Sequence, residues 1–345
     1  MSQNTDNTAG MSVLGQKRKP GGTALAPGVT VRQRAKSVAL AFPTTDGGEE
    51  EVSVGVAAKY AGMMSPEHVA ALSTLAECFE AWFGCPPDAY AVQIYREWNA
   101  ASPGSTVGKF KDDKALRYFP RVDWSKVGNF RDMFEGCSNL ESIAGPINAP
   151  VSCDAFSMFA NCAKLVELPG IIMPKMYNCG WMCSGCSSLT RVGTLDTAGS
   201  GVMRNMFDGC SSLESVAGLD TSSATSLDSL FTGCRKLTEV PELDVGKATA
   251  MKDMFCDCAS LRKVRLKGFG TAAENAEGVF KNAALLGEGS EENRQSLVDT
   301  LLTDSFDRAA AGMPVLTLRY FPAAVKNRLT SEERAAIEAK GYKFA

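Results

Sequence analysis

The most regular feature of the chain is a pattern of apolar positions that returns at intervals of about 24 residues through its centre. Six segments repeat the order Met-Phe-x-x-Cys-x-x-Leu, from FRDMFEGCSNL at Phe130 to MKDMFCDCASL at Met251, with small substitutions. The repeated cysteines are evenly spaced, except that the first step is longer than the others by a single residue: Cys137, Cys162, Cys186, Cys210, Cys234 and Cys258. A fixed period of this length predicts a solenoid, in which each coil buries the apolar side of the next.

Each period divides into two parts. The apolar residues of Met-Phe-x-x-Cys-x-x-Leu are spaced as a short helical turn would place them, pointing inward. The stretch that follows, such as SLESVAGLD from Ser212, alternates and predicts a short strand. Stacked coils would place these strands about 4.8 Å apart in a parallel ladder. An aspartate recurs after the strand, and we expect it to accept backbone N–H bonds in an Asx turn; a calcium-binding ladder is the alternative. These residues are Asp123, Asp196, Asp220 and Asp244, with Asn148 in one coil.

The flanks of the repeats predict three further regions. Residues 1–50 are rich in Gly, Ser, Thr, Asn and Pro, which predicts a flexible N-terminal arm. Residues 51–104 contain a helix that begins near Ser65 and a second that begins at Asp88, which together predict a helical cap. The solenoid is expected over 105–286. Residues 287–345 predict an α/β cap with a helix after Ser290, a strand from Val315 and a last helix opened by a Thr330–Glu333 capping box.

Charge and composition exclude several functions. The chain has 36 Lys plus Arg against 39 Asp plus Glu, so we expect no nucleic acid partner. It has no secretion-signal pattern and no run of eighteen apolar residues, so we expect synthesis in the cytoplasm, reduced thiols and no membrane insertion. The single histidine, His68, cannot build a multi-histidine zinc site and would have to serve any catalytic triad alone.

The cysteines carry the one motif that suggests an enzyme. Cys179-x3-Cys183-x2-Cys186 has the spacing with which radical S-adenosylmethionine enzymes hold a four-iron cluster. In the repeat register, however, all three residues occupy positions that are apolar in other coils, where thiols pack as small hydrophobic groups. A structural zinc site that uses Cys153, Cys179 or Cys183 is a further alternative. The repeat favours core packing, so we predict no catalytic residue, no metal and no cofactor.

The repeat resembles the BspA-type leucine-rich repeat, of the kind encoded by Bacteroidales and their phages. The resemblance covers about residues 120–286, and it weakens where Cys183 replaces the aromatic residue and where Ala283 replaces the cysteine. It implies an α+β repeat solenoid of about six coils, each of roughly 24–25 residues, with a parallel strand ladder.

The resemblance also implies a non-enzymatic structural or recognition protein. We predict a phage or prophage virion component, tail-associated or a surface decoration, that binds virion proteins through its N-terminal arm. The solenoid face could then bind a host-surface protein or glycan. One alternative is a bacterial cell-surface adhesin without a standard signal peptide, and the other is the metal-cluster enzyme. The candidate partner-binding face consists of the charged residues just after each repeated leucine: Glu141, Glu167, Arg191, Glu214, Glu239, Arg262 and Lys263.

Overall fold

The structure, a computed structural model, describes residues 30–34, 37–43, 49–55, 83–86, 88–100, 106–125, 127–149, 152–284 and 291–345. Contacts divide the chain into two units. The first comprises Met1–Ala101 with Tyr118–Val122, and the second comprises Ser102–Arg117 with Asp123–Ala345. Within the described ranges, no helix combines the length and apolar character needed to cross a membrane.

The first unit contains a three-stranded antiparallel sheet with the strand order β1-β2-β3. Its strands are β1 (Thr30–Arg34), β2 (Ser37–Pro43) and β3 (Glu49–Gly55). The sheet differs from the flexible arm predicted over 1–50. Composition hid the alternation of apolar residues in SVALAFP and EEEVSVG, which has the two-residue period of a strand.

The first unit also contains α1 (Ala89–Ala100), which confirms the helix predicted from Asp88. The Asp88 side chain accepts the N–H of Ala91 at 2.8 Å and so caps the first turn. Trp98 is buried and meets Phe119 of β4 (Tyr118–Phe119) edge to face, with ring centroids 5.7 Å apart. The helix predicted from Ser65, together with His68 and Cys78, lies outside the described residues.

The second unit is a parallel β-solenoid, and the structure has about nine turns where the sequence predicts about six coils. Part of the difference is a coil before the first full repeat, in which Phe110 stacks on Phe134 with ring centroids 5.5 Å apart. The strands are short: β5 (Ser142–Ile143), β6 (Ile147–Asn148), β7 (Cys153–Asp154), β8 (Glu167–Leu168), β9 (Ile171–Ile172), β10 (Met176–Asn178), β11 (Arg191–Val192), β12 (Ser215–Val216), β13 (Leu243–Asp244) and β14 (Leu266–Lys267). The pairs β6–β9, β7–β10, β8–β11, β11–β12 and β13–β14 are all parallel.

The Met-Phe-x-x-Cys segment of each coil is a series of turns rather than a helix. Alternate amides donate to the next coil: those of Asp132, Phe134 and Gly136 reach the carbonyls of Phe156, Met158 and Ala160 at 2.9, 2.9 and 2.7 Å. The amides between them donate three residues back within the coil, as Cys137 does to Phe134 at 3.0 Å. In a helix all of these amides would donate within the same coil. The turn series instead satisfies the backbone and also joins successive coils by hydrogen bonds.

This turn series requires left-handed backbone at two positions per coil. We call the residues at one position of successive coils a column. The first left-handed column, the pre-methionine column, contains Asp132, Ser157, Trp181, Asn205, Ser229 and Asp253. The second contains Gly136, Asn161, Gly185, Gly209, Gly233 and Asp257. Gly, Asn and Asp tolerate this conformation best, which accounts for most of the residue types found there.

A stack of phenylalanine rings forms the centre of the solenoid core. Successive rings are nearly parallel, with centroids 5.4–5.8 Å apart, in the pairs Phe110–Phe134, Phe134–Phe159, Phe207–Phe231, Phe231–Phe255 and Phe255–Phe280. Cys183 occupies the position between Phe159 and Phe207 and divides the stack in two. The ladder cysteines and repeated leucines beside the rings have no exposed surface.

The C-terminal region contains α2 (Glu291–Leu302), β15 (Leu316–Leu318), α3 (Ala323–Lys326), α4 (Ser331–Ala339) and β16 (Tyr342–Phe344). The predicted capping box is confirmed, because the Thr330 hydroxyl accepts the N–H of Glu333 at 3.1 Å and the Glu333 carboxylate accepts the N–H of Thr330 at 2.8 Å. β15 pairs in parallel with β16.

Polar groups fasten this region to the last coils. Arg308 is only 4% exposed, and its guanidinium donates to the carbonyls of Gly270, Ala273 and Pro314 at 2.6, 3.0 and 2.9 Å. The Tyr342 hydroxyl lies 2.8 Å from the carbonyl oxygen of Phe269. Amides of the last coils that have no following coil donate to this region instead, as Gly268 does to Asp304 at 2.9 Å. The region therefore closes an edge that would otherwise be open.

Candidate binding surface

The predicted partner-binding residues lie along one strand face of the solenoid. Glu167, Arg191, Glu214, Glu239, Arg262 and Lys263 are exposed and Glu141 is half-buried. Parallel pairing places Arg191 beside Glu167 on one side and Ser215 on the other. A bridge likewise places Glu239 beside Lys263. The structure thus brings these residues onto one surface, which we call the strand face.

Charges on the first coils of the strand face are paired with one another. Arg117 Nη2 lies 2.8 Å from Glu141 Oε1, and Arg191 Nη2 lies 3.2 Å from Glu167 Oε1. Exposed ion pairs of this kind contribute about 0–1 kcal/mol to stability, so their main effect is to neutralise the surface. Glu214 and Arg262 form no salt bridge with any described residue, which leaves their charges available to a partner.

The ladder cysteines have a role that sequence analysis missed. Each thiol donates to the carbonyl of the residue at the aromatic position of the preceding coil. The sulfur–oxygen distances are 2.9 Å for Cys137 to Phe110 and 3.1 Å for Cys162 to Phe134, Cys186 to Phe159, Cys210 to Cys183, Cys234 to Phe207 and Cys258 to Phe231. A thiol is a weak donor as well as an apolar group, so it both fills the core and satisfies a carbonyl lone pair. The recurrence of Cys, and not Ala or Val, at this position was the feature of the sequence that could have indicated the hydrogen bond.

Burial also makes these thiols poor nucleophiles. It raises the pKa of Cys137 and of Cys258 to about 12, and it raises the pKa of Cys234 well above the usual value. The thiolate is the form that attacks electrophiles and binds metals. The ladder thiols are therefore suited to packing and hydrogen bonding rather than to chemistry.

The Cys179, Cys183 and Cys186 side chains are all fully buried, and their neighbours differ. Cys179 Sγ lies 3.2 Å from Ser200 Oγ, whereas Cys186 donates to the Phe159 carbonyl. Burial raises the pKa of Cys179 to about 12 and that of Cys183 well above its usual value. In the part of the chain that the structure describes, no group of three or more His, Cys, Asp or Glu side chains is arranged to hold a metal ion.

The recurring aspartates form Asx turns at three positions, which confirms that prediction there. Oδ1 of Asp123, Asp220 and Asp244 accepts the amide two residues later, at 3.1, 2.9 and 3.0 Å. The Ser222 amide lowers the pKa of Asp220 by this bond. A second column does the same before four of the turn series and was not foreseen; its Asx residues are Asn129, Asp154, Asn178 and Asn275.

A protein-family model described as "Mycoplasma protein of unknown function, DUF285" matches residues 177–309. The chain is similar to this family. The match begins in the coil of Cys183 and ends in the C-terminal region, and it covers less than half of the chain. Neither a curated protein nor a solved structure matches the chain. The match and the parallel solenoid are compatible with a BspA-type repeat protein, and neither bears on a Bacteroidales or phage origin.

Proposed function

We propose that this chain is a non-enzymatic binding protein whose solenoid presents the strand face to a protein partner. The observation that carries the proposal is the contrast between the inside and the outside of the coils. Inside, the thiols are committed to the core and to carbonyl hydrogen bonds. Outside, regularly spaced charges such as Glu214 and Arg262 stand on a surface that the coil-to-coil hydrogen bonds hold in place.

A reversal of charges tests the role of the strand face. The variant Glu214→Arg with Arg262→Glu keeps the net charge but inverts the pattern of this face. The control, Lys252→Glu with Glu274→Lys, makes the same exchange at two exposed residues outside the strand face. We expect proximity labelling in the native cell to lose specific neighbours with the first variant and to keep them with the control. An unchanged set of neighbours with both variants would contradict the proposed face.

Metal analysis tests the non-enzymatic part of the proposal. The full chain, purified without oxygen, should contain far less than one iron or zinc per molecule, because Cys179 and Cys183 are buried and burial raises the pKa of both thiols, which keeps them protonated. One or more bound metal ions per chain would overturn this part and revive the metal-cluster enzyme.

The setting that we propose is a virion, in which residues 1–50 bind the particle and the solenoid faces outward. The support is the family resemblance of the repeats. Mass spectrometry of purified particles should detect the chain, and its absence from them would exclude this setting. Release of the chain from intact cells by surface proteolysis would instead favour the cell-surface adhesin.

A further inference from the structure

The coil that contains Cys183 carries two exposed aromatic rings. Tyr177 is 52% exposed and Trp181 is 37% exposed, and they lie four residues apart on one coil. Among the described residues, neither ring stacks on another ring or on a cation. Large rings that are left in water without such a partner are candidates for binding a ligand.

The backbone is irregular at Tyr177 and left-handed at Trp181. Tyr177 lies at a register shift in the β7–β10 pair, between Met176 and Asn178. Trp181 has φ of +58° in the pre-methionine column. A left-handed conformation costs roughly 1–2 kcal/mol for a residue with a Cβ, and a bulky ring is rare there. The turn series imposes this conformation in every coil, so the unusual feature of this coil is the bulky ring and not the backbone.

The next coil adds a notch and a cation beside the rings. The Gly201 amide donates to the Tyr177 carbonyl at 3.2 Å, and a side chain at Gly201 would meet nothing within 4 Å. Later coils carry Thr225 and Thr249 in this column. The Trp181 amide donates to the carbonyl of Arg204, which is exposed. The Arg204 side chain passes over Gly180, the residue before Trp181, because its Cγ would lie 3.5 Å from a Cβ at Gly180.

Two exposed cations lie on the coils that carry the rings. Lys175 and Arg204 form no salt bridge with a described residue. The carboxylates that stack beside them are engaged by other groups: Asp154 is buried and lies 3.3 Å from Arg131, and Asp228, one coil beyond Arg204, accepts the Lys252 amide at 2.7 Å. The two unpaired cations suit an anionic ligand with an apolar face.

The backbone here offers nothing to an incoming peptide strand. The amides of Cys179 and Trp181 donate to the next coil, and the amide of Gly180 donates to the Asn178 side chain. Main-chain pairing, which gives strand addition its affinity, is therefore not available. The site also contains only a few residues, whereas each side of a stable protein interface uses roughly 20–30 residues. These limits favour a small ligand recognised by side chains alone.

We propose that Tyr177, Trp181 and Arg204 form a binding site for an acidic saccharide. The C–H face of a pyranose ring stacks on the negative face of an aromatic ring, and the notch at Gly201 leaves room beside it. Arg204 pairs with a carboxylate or sulfate of the sugar. This site rests on the proposed binding function, and it lies on a different surface from the strand face.

Variants drawn from the chain's own repeats test the site. Trp181→Asn installs the residue type of Asn205, and Tyr177→Thr installs that of Thr225, so both suit the local backbone. Arg204→Gln removes the charge. The matched control is Tyr320→Asn, because Tyr320 is also a left-handed, exposed aromatic residue, at φ +59° and 57% exposed. Its ring is already engaged by Lys281, 5.2 Å away.

The full chain and its variants are applied to an array that displays uronic-acid, sialylated, sulfated and neutral saccharides and a hexaglutamate peptide. We expect wild type and Tyr320→Asn to bind one acidic class, and each of the three site variants to bind it about tenfold more weakly. Binding of acidic saccharides that survives Trp181→Asn overturns the site. Equal binding of neutral sugars, binding of the peptide alone, or no binding to any member overturns the acidic-saccharide ligand.

This result is separate from that of the strand-face experiment. Loss of neighbours through Glu214 and Arg262, together with a silent array, would refute the saccharide site and leave the proposed function standing. Binding of an acidic saccharide on the array, together with an unchanged set of neighbours, would support the saccharide site and contradict the strand face.

Discussion

Replacing rings in the phenylalanine stack tests whether ring–ring contact stabilises the coils beyond simple burial. We compare Phe231→Leu with Phe159→Leu. Both side chains are fully buried, and both carbonyls accept a cysteine thiol at 3.1 Å. They differ in their stacking partners. Phe231 lies 5.5 Å from the rings of both Phe207 and Phe255. Among the described residues, Phe159 stacks only on Phe134, because Cys183 is its other neighbour.

The magnitude follows from this one-ring difference. Leucine retains most of the apolar volume, so the burial loss is nearly the same in both variants and cancels in the comparison. An aromatic pair contributes about 0.5–1.5 kcal/mol beyond its buried area. Phe231→Leu loses two such pairs and Phe159→Leu loses one. We therefore expect Phe231→Leu to lower the free energy of unfolding by about 0.5–1.5 kcal/mol more than Phe159→Leu.

Urea unfolding followed by circular dichroism measures the difference, provided that the urea dependence of the free energy is the same in both variants. Hydrogen exchange at the amides of the two coils localises the loss. Equal destabilisation by the two substitutions, or a larger effect of Phe159→Leu, would show that stacking adds nothing to burial and would refute the reasoning.

Three further predictions concern the thiols and the C-terminal region. Alkylation of Cys137 in the folded chain should be slow at pH 8 and complete after unfolding. Fast labelling of Cys137 at pH 8 would contradict this expectation. The pKa of Cys137 is about 12 in the folded chain, above the ordinary 9.0, so the contribution of this thiol to stability is full below about pH 9 and is lost as the pH rises towards 12. Arg308→Met should cost about 2 kcal/mol or more, since three carbonyls, two of them buried, lose their donor, and hydrogen exchange should accelerate first in β15 and β16; a loss spread evenly over all coils would argue otherwise. Gly270→Ala should lower the melting temperature far more than Gly312→Ala, because both have positive φ but only the first Cβ would overlap the Tyr342 hydroxyl; similar melting temperatures would contradict the packing.

The repeat period was sufficient to predict the core. A residue that recurs once per coil must occupy one column, and a column of Phe, Cys or Leu can only face inward. The same reasoning could not predict the backbone of the Met-Phe-x-x-Cys segment. Side chains at steps of three and four residues point the same way in a helix and in this turn series, so the spacing of Phe134, Cys137 and Leu140 fits both. Only the columns of Asp132 and Gly136, with their Asp, Ser, Asn and Gly residues, indicated left-handed backbone.

For the candidate surfaces too, the sequence predicts the positions of residues but not their contacts. The position of the strand face follows from the residues after each leucine, but its ion pairs do not, because pairs such as Arg117–Glu141 depend on coil stacking. With the period known, opposite charges one period apart would have indicated them. Trp181 differs, since a tryptophan in a column of Asp, Ser and Asn becomes unusual only once the backbone of that column is known.

The thiol ladder has a consequence for how such a chain lengthens or shortens over evolution. Each coil brings one thiol that points to the coil before it and one carbonyl that receives the thiol of the coil after it. Duplication or loss of a whole coil therefore leaves every donor with an acceptor, whereas a change of a few residues inside the turn series would break the register of all later columns. The two longer steps, between Cys137 and Cys162 and between Phe255 and Phe280, keep the adjoining turn series aligned amide for amide. We expect the repeat regions of related chains to differ in length by whole coils. Insertions of single residues should lie outside the turn series.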